Sequence, residues 1–167
     1  KSVSLARLGL VPEPMTADEM YRALSLESLS YTAVQAQLPA GSDARTTECN
    51  AHVEFQLTPS GVEGSAPPQY ALQIRFSCTG TPLRGAARTR LFEIELKALA
   101  IYRQTGAGVT LADFSGNHTV LARQLFPALA GRAQDLLERL GLHTIRLPLD
   151  LPQEISAPAS GATGTLN

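Results

Sequence analysis

Few residues in this chain can do chemistry, and their spacing separates reaction from recognition. Glu93 and Glu95 stand two apart in an alternating stretch, which puts both carboxylates on one side of a strand about 7 Å apart, a separation that suits paired-carboxylate chemistry. The plainer reading is a solvated strand face. His52, His118 and His143 fall in separate segments, so no pair of them is preassembled as a metal site. No metal and no cofactor is expected. Cys49 and Cys78 form no Cys-x-x-Cys motif and read as buried thiols. Gly106-Ala107-Gly108 lacks the Lys and Ser/Thr of a phosphate loop and reads as a turn; Asn117-His118-Thr119 matches a glycosylation acceptor but reads as the start of a helix. No catalytic constellation results, and no enzyme is expected.

The whole chain narrows the classes further. At 167 residues it has the size of one ordinary domain, able to bury about 70% of its unfolded surface. With 14 Lys and Arg against 15 Asp and Glu the net charge is −1, which gives no field to gather phosphates and argues against nucleic acid as a partner. Charged residues are 17% and hydrophobic residues 44%, a balance that folds rather than stays disordered. Aromatics are 5% with no Trp, so the core must be aliphatic. Two cysteines suit free thiols in a reducing compartment, and the cytoplasm is the expected location. No apolar run approaches the roughly 20 residues of a membrane span, and no secretory pattern opens the chain, although Lys1 in place of Met points to a trimmed start.

The elements that position these residues follow from periodicity and punctuation. Pro12 and Pro14 make residues 1–15 a flexible lead-in. Thr16-Ala17-Asp18-Glu19 fits a capping box, predicting a short helix over about 17–24 with Met20, Ala23 and Leu24 on its apolar side. From about Glu27 the period becomes two, with Leu29, Tyr31 and Ala33 on one side and Ser28, Ser30 and Thr32 on the other. Further alternating strands are predicted over 52–57, ending at Pro59 and Gly61, over 70–76, and over about 89–103 with a bulge near Ala98 to Ala100. No helix interrupts the four strands, so the sheet should be antiparallel. A crossing loop with apolar Val109, Leu111 and Phe114 leads to a helix from Asn117 to Leu140, kinked or restarted at Pro127 and closed by Gly141. One domain spans 16–151, and the Pro/Gly/Ser-rich tail over 152–167 is expected to be disordered.

This order, with Leu96-Lys97-Ala98-Leu99-Ala100-Ile101-Tyr102 ending the fourth strand, Leu125-Phe126-Pro127 opening a helix, Leu140-Gly141 closing it and Ile145-Arg146-Leu147-Pro148 following, resembles the SecB family of bacterial protein-export chaperones over about 26–149. It departs from that pattern in two places. Ala128-Leu129-Ala130 stands where SecB usually has Tyr-Ala-Arg, and no second carboxyl-terminal helix is evident after Pro152. The helix before the first strand is similar to that of SecB-like chaperones attached to toxin-antitoxin systems.

The resemblance implies an α+β fold: a four-stranded antiparallel sheet, a short N-terminal helix, and a longer C-terminal helix packed on the sheet or at a subunit interface. It implies a homotetramer or homodimer that holds unfolded polypeptides without ATP, for protein export or for a dedicated client such as an antitoxin. On that reading the client groove is lined by Phe55, Leu57, Ile74, Phe76, Val109, Leu111 and Phe114, each strand residue being core otherwise. Leu129, Leu136 and Leu137 either pack subunits together or cover their own sheet. Glu95 falls where SecB carries an acidic residue that engages the motor SecA, and Glu27 lies near its first-strand acidic site. The alternatives are a small-molecule or catalytic domain using the sheet–helix cleft, with Glu93 and Glu95 as its polar groups, and a purely structural assembly subunit.

Overall fold

The computed structural model describes residues 15–84, 89–106 and 108–148, with 164–166 as backbone only. The expected lead-in over 1–14 and most of the expected tail, 149–163 and 167, lie outside the described residues.

Helix α1, Ala17–Ala23, begins at the predicted capping box: Thr16 N–H donates to Glu19 at 2.7 Å, and Glu19 N–H donates to the Thr16 hydroxyl at 3.3 Å. The Thr16 N–H and then the Thr16 hydroxyl, which donates to the same carboxylate at 2.8 Å, hold the Glu19 carboxyl below its ordinary value. Strand β1, Leu24–Gln37, follows without a loop, three residues earlier than the periodicity suggests. Strands β2 (Cys49–Val62), β3 (Gln69–Pro82) and β4 (Phe92–Gln104) complete a sheet in the order β1-β4-β3-β2, with a three-residue strand β5 (Gly164–Leu166) pairing outside β2. All pairs are antiparallel. β2 and β3 run well past the predicted ends. Pro59 and Gly61 sit inside β2 because that strand borders the sheet, where a missing N–H and a weak residue are tolerated.

Helix α2, Leu111–Arg139, is a single element with Pro127 inside it. It starts six residues before the predicted Asn117. Thr110 caps it through a second capping box with Asp113, whose Thr110 hydroxyl and backbone bonds hold that carboxyl low. Asn117 instead sits within the helix and donates to the Asp113 carbonyl at 3.0 Å. At the far end the prediction is met: Gly141 has φ +80°, its N–H donates to the Glu138 carbonyl, and Leu142 N–H donates to the Leu137 carbonyl. That pair of bonds is a Schellman motif, and the side chain of Arg45 adds a third donor to the Leu140 carbonyl.

α2 lies across one face of the sheet. Phe126 meets Phe55 edge-on at 5.7 Å and Phe76 at 6.0 Å; Phe114 stacks on Tyr70 at 4.9 Å. Leu121, Leu125, Leu129, Ala133 and Leu137 fill the rest of the contact. Gly80 is required where it stands, because a Cβ there would meet the Phe92 ring at 2.1 Å. Among the described residues nothing polar or charged is buried except the tyrosines Tyr70 and Tyr102.

Candidate functional site

The two borders of the four-stranded sheet carry the accessible apolar surface. On β1 the apolar residues are Leu24, Leu26, Leu29, Tyr31, Val34 and Ala36, at steps of two, three, two, three and two. Strict alternation would scatter them over both faces. The register instead shifts between Leu26 and Ser28 and between Tyr31 and Ala33, leaving Glu27 and Thr32 as extra residues. Each bulge restores the phase, so all six pair with β4 residues on the helix side, from Gln104 and Tyr102 to Ile94. Ala33 therefore faces away from Leu29 and Tyr31, pairing with Lys97, and the bulge expected on β4 lies across from it on β1.

The helices cover this strip only in part: Leu24 is buried and Leu26, Leu29 and Ala36 are half-buried. Tyr31 and Val34 remain 37% and 42% exposed, and Tyr21 of α1 is 41% exposed. The two tyrosine hydroxyls donate to α2 carbonyls, Tyr21 to Val120 at 2.6 Å and Tyr31 to Ala128 at 3.3 Å, which leaves their rings as apolar surface.

The opposite border is built differently. After Leu142 the chain turns extended and returns along α2 towards the start of β2. Gln134 clasps it: its amide N–H donates to the Ile145 carbonyl at 3.0 Å, and its carbonyl accepts from Leu147 N–H at 3.1 Å. The Gln134 side chain thus replaces a neighbouring strand for that stretch, while Leu142 and Leu147 bury their side chains. Between this extended stretch and β2 lies a cleft of about 720 Å³, lined by Cys49, Ala51 and Val53 on one side and Ile145, Leu147 and Pro148 on the other. Leu83, 53% exposed, stands at its rim, where its N–H donates to the Glu48 carbonyl. Farther along the same border Gly164–Leu166 pairs with Phe55, Glu54 and Val53.

The predicted site residues distribute unevenly over this architecture. Phe55, Leu57, Ile74, Phe76, Val109 and Phe114 are core residues beneath α2 or at its start, not surface groove. The cause is the long helix: the stretch expected to be a crossing loop is its first turns, which cover that end of the sheet. Only Leu111 is open, at 48% exposure, packed loosely over Gly61. Leu129, Leu136 and Leu137 are likewise buried, so within the single chain this stripe covers its own sheet.

Glu27, Glu93 and Glu95 sit on the face away from α2. Glu95 lies 3.2 Å from Arg75 and 3.4 Å from Lys97. Burial raises its carboxyl, but the Arg75 and then the Lys97 bonds and charges outweigh it and hold it low. Glu93 pairs with Arg90 at 2.9 Å and accepts from Gln37 at 3.1 Å. Glu27 pairs with Arg103 and accepts from Gln69 at 2.6 Å. Glu93 and Glu95 do share a face, as predicted, yet it is not the face of the sheet–helix interior. The small-molecule reading built on that cleft therefore loses its polar groups.

The remaining candidates are equally quiet. His52 lies 3.8 Å from Glu54, His118 contacts the Ser115 carbonyl, and among the described residues no group of three metal-ligating side chains occurs. Cys49 and Cys78 are free; burial pushes the Cys49 thiol up and carries Cys78 to about 12. No helix among the described residues is long and apolar enough to cross a membrane.

Sequence reasoning missed the β1 strip, the Gln134 clasp and Leu83. The strip had a signal in its two-three-two-three spacing; the clasp had none, since a Gln in a helix usually faces water.

No protein-family model matches the chain. No curated protein matches it in sequence. Among solved structures it is similar to the SecB-like chaperone of Mycobacterium tuberculosis, solved in complex with a ChAD peptide from the HigA1 antitoxin. The TM-score is 0.55 at 16% identity, covering 85% of this chain and 97% of that one. The short helix, the antiparallel sheet and the long helix across it are thus a SecB-like fold.

Proposed function

We propose that this protein is an ATP-independent chaperone, a holdase that binds unfolded or partly folded polypeptide in extended form. The observation that carries this reading is the β2 border: an edge that is mostly unpaired among the described residues, beside a cleft of mixed apolar and polar lining, where the chain already holds one of its own segments extended. An incoming strand there gains backbone hydrogen bonds from the edge and places alternate side chains in the cleft. Each 100 Å² of apolar surface buried adds about 2.5 kcal/mol, so several shallow contacts along one client have to sum to exceed an ordering cost of about 2–5 kcal/mol. Binding the unfolded state then opposes folding and aggregation by mass action. None of this needs a reactive group.

The β1 strip serves assembly in this reading. An edge strand with a partly bare apolar face is an aggregation hazard unless a partner covers it, and a second copy is the constant partner available to it. A homodimer, or a tetramer built from two, follows. The neighbour's antitoxin peptide supports a dedicated peptide client over a general export role. SecA engagement through Glu95 and Glu27 rests on the family resemblance; both are held in internal ion pairs, so a motor would have to exchange them.

The test is aggregation of a chemically denatured model protein on dilution, followed by light scattering with the purified chain at stoichiometric ratio. Suppression is expected without nucleotide. Failure with several unrelated clients contradicts a general holdase, and co-purification of one peptide partner then separates the dedicated form.

A further inference from the structure

Two independent features place the carboxyl end of this chain on the border where the proposed client would bind. The first is the Gln134 clasp, which holds Ile145 to Leu147 extended beside the start of β2. The second is strand β5, which pairs antiparallel with β2 at Val53 to Phe55. β2 pairs with β3 over its full length, while among the described residues three of its fourteen have a partner on the outer side.

We infer that the carboxyl-terminal segment Gly164–Leu166 is a built-in competitor for the β2 edge, an in-cis strand that an extended client displaces. The inference rests on the holdase reading and adds its regulation. A three-residue pairing suits that role: it covers the middle of an aggregation-prone edge when no client is present, yet offers few hydrogen bonds against a longer incoming strand. The client inherits the antiparallel direction of the tail. Tethering makes the competitor present at high effective concentration, so it sets a threshold that only clients able to pair along more of β2 overcome.

The experiment compares the full chain with its Thr165→Pro/Leu166→Pro variant. In an antiparallel pair alternate residues donate to the neighbour, so the two prolines together remove a donor whichever residue faces β2. Hydrogen exchange is read at the amides of Val53, Glu54 and Phe55. Affinity is read by fluorescence anisotropy with labelled reduced, carboxymethylated α-lactalbumin, a permanently unfolded chain. The inference predicts faster exchange at whichever of those amides points away from β3, with the β3-facing ones unchanged, and about three- to tenfold tighter binding, the factor by which the competent fraction rises. Unchanged exchange overturns the docked tail. Faster exchange with unchanged affinity overturns the competition while leaving the holdase reading intact. Absence of binding by both chains brings down the holdase reading and this inference together.

Discussion

β1 and β2 border the same four-stranded sheet and have the same length, yet one leaves Tyr31 and Val34 bare and the other is dressed by its own chain. β1 keeps its residues in phase by two bulges and presents a strip that the helices cover only in part. β2 buries Val53, Phe55 and Leu57 under α2 and presents backbone instead, beside a cleft whose far wall is the chain's own extended stretch. A surface of fixed side chains suits a fixed partner, a further copy of the chain. A surface of backbone and shallow apolar sites suits partners of many sequences, because main-chain groups are common to all of them.

The comparison presumes that both borders hang on one core, and the largest effect tests that. Phe126→Ala removes the ring that meets both Phe55 and Phe76, and should cost about 3–5 kcal/mol in denaturant unfolding. Loss of client binding and of assembly together is the expected accompaniment. A milder break separates the borders: Tyr31→Glu with Val34→Glu puts carboxylates on the β1 strip. Light scattering should then report the mass of a single chain, with client affinity per subunit retained. An unchanged mass would remove β1 from the interface.

On the other border, Gln134→Ala frees the Ile145 carbonyl and the Leu147 N–H, and should cost about 1–3 kcal/mol. Exchange at the Leu147 amide should rise while β1 stays unchanged; equal acceleration at both borders would mean general loosening rather than a released segment.

Smaller effects sharpen the picture chemically. Cys49 lines the β2 cleft and Cys78 lies in the core with its thiol pushed to about 12. A thiol reagent at mild alkaline pH should modify Cys49 first, more slowly with client bound, and reach Cys78 only on unfolding. The carboxyls of Glu19, Asp113 and Glu95 all titrate lower in the folded chain than unfolded. Their contribution is whole above the unfolded value and is lost as pH falls through the folded one, so stability should decline on the acid side in small steps. Glu19→Gln and Asp113→Asn should flatten that decline.

Much of the frame was legible in the residues. The Thr16–Glu19 box, the alternation of β3 and β4, and Gly141 as helix stop all act through neighbours in sequence, and each stands where it was expected. The start of α2 was not, because the apolar Val109, Leu111 and Phe114 among glycines resemble a loop until Thr110 and Asp113 are recognised as a cap. The burial of the expected groove residues was not legible for a deeper reason. An apolar strand face says that something covers it and not what, and in this chain α2 lies over it. The outer-face ion pairs of Glu95 and Glu27 depend on register across three strands, which no single strand's pattern contains.

The division between the two borders is tested most directly by hydrogen exchange over the whole chain, with and without saturating reduced, carboxymethylated α-lactalbumin. The account predicts new protection along β2 outside its centre, at those amides of Cys49 to His52 and of Gln56 to Val62, Pro59 having none, that point away from β3. Protection confined to β1, or none on either border, would contradict it.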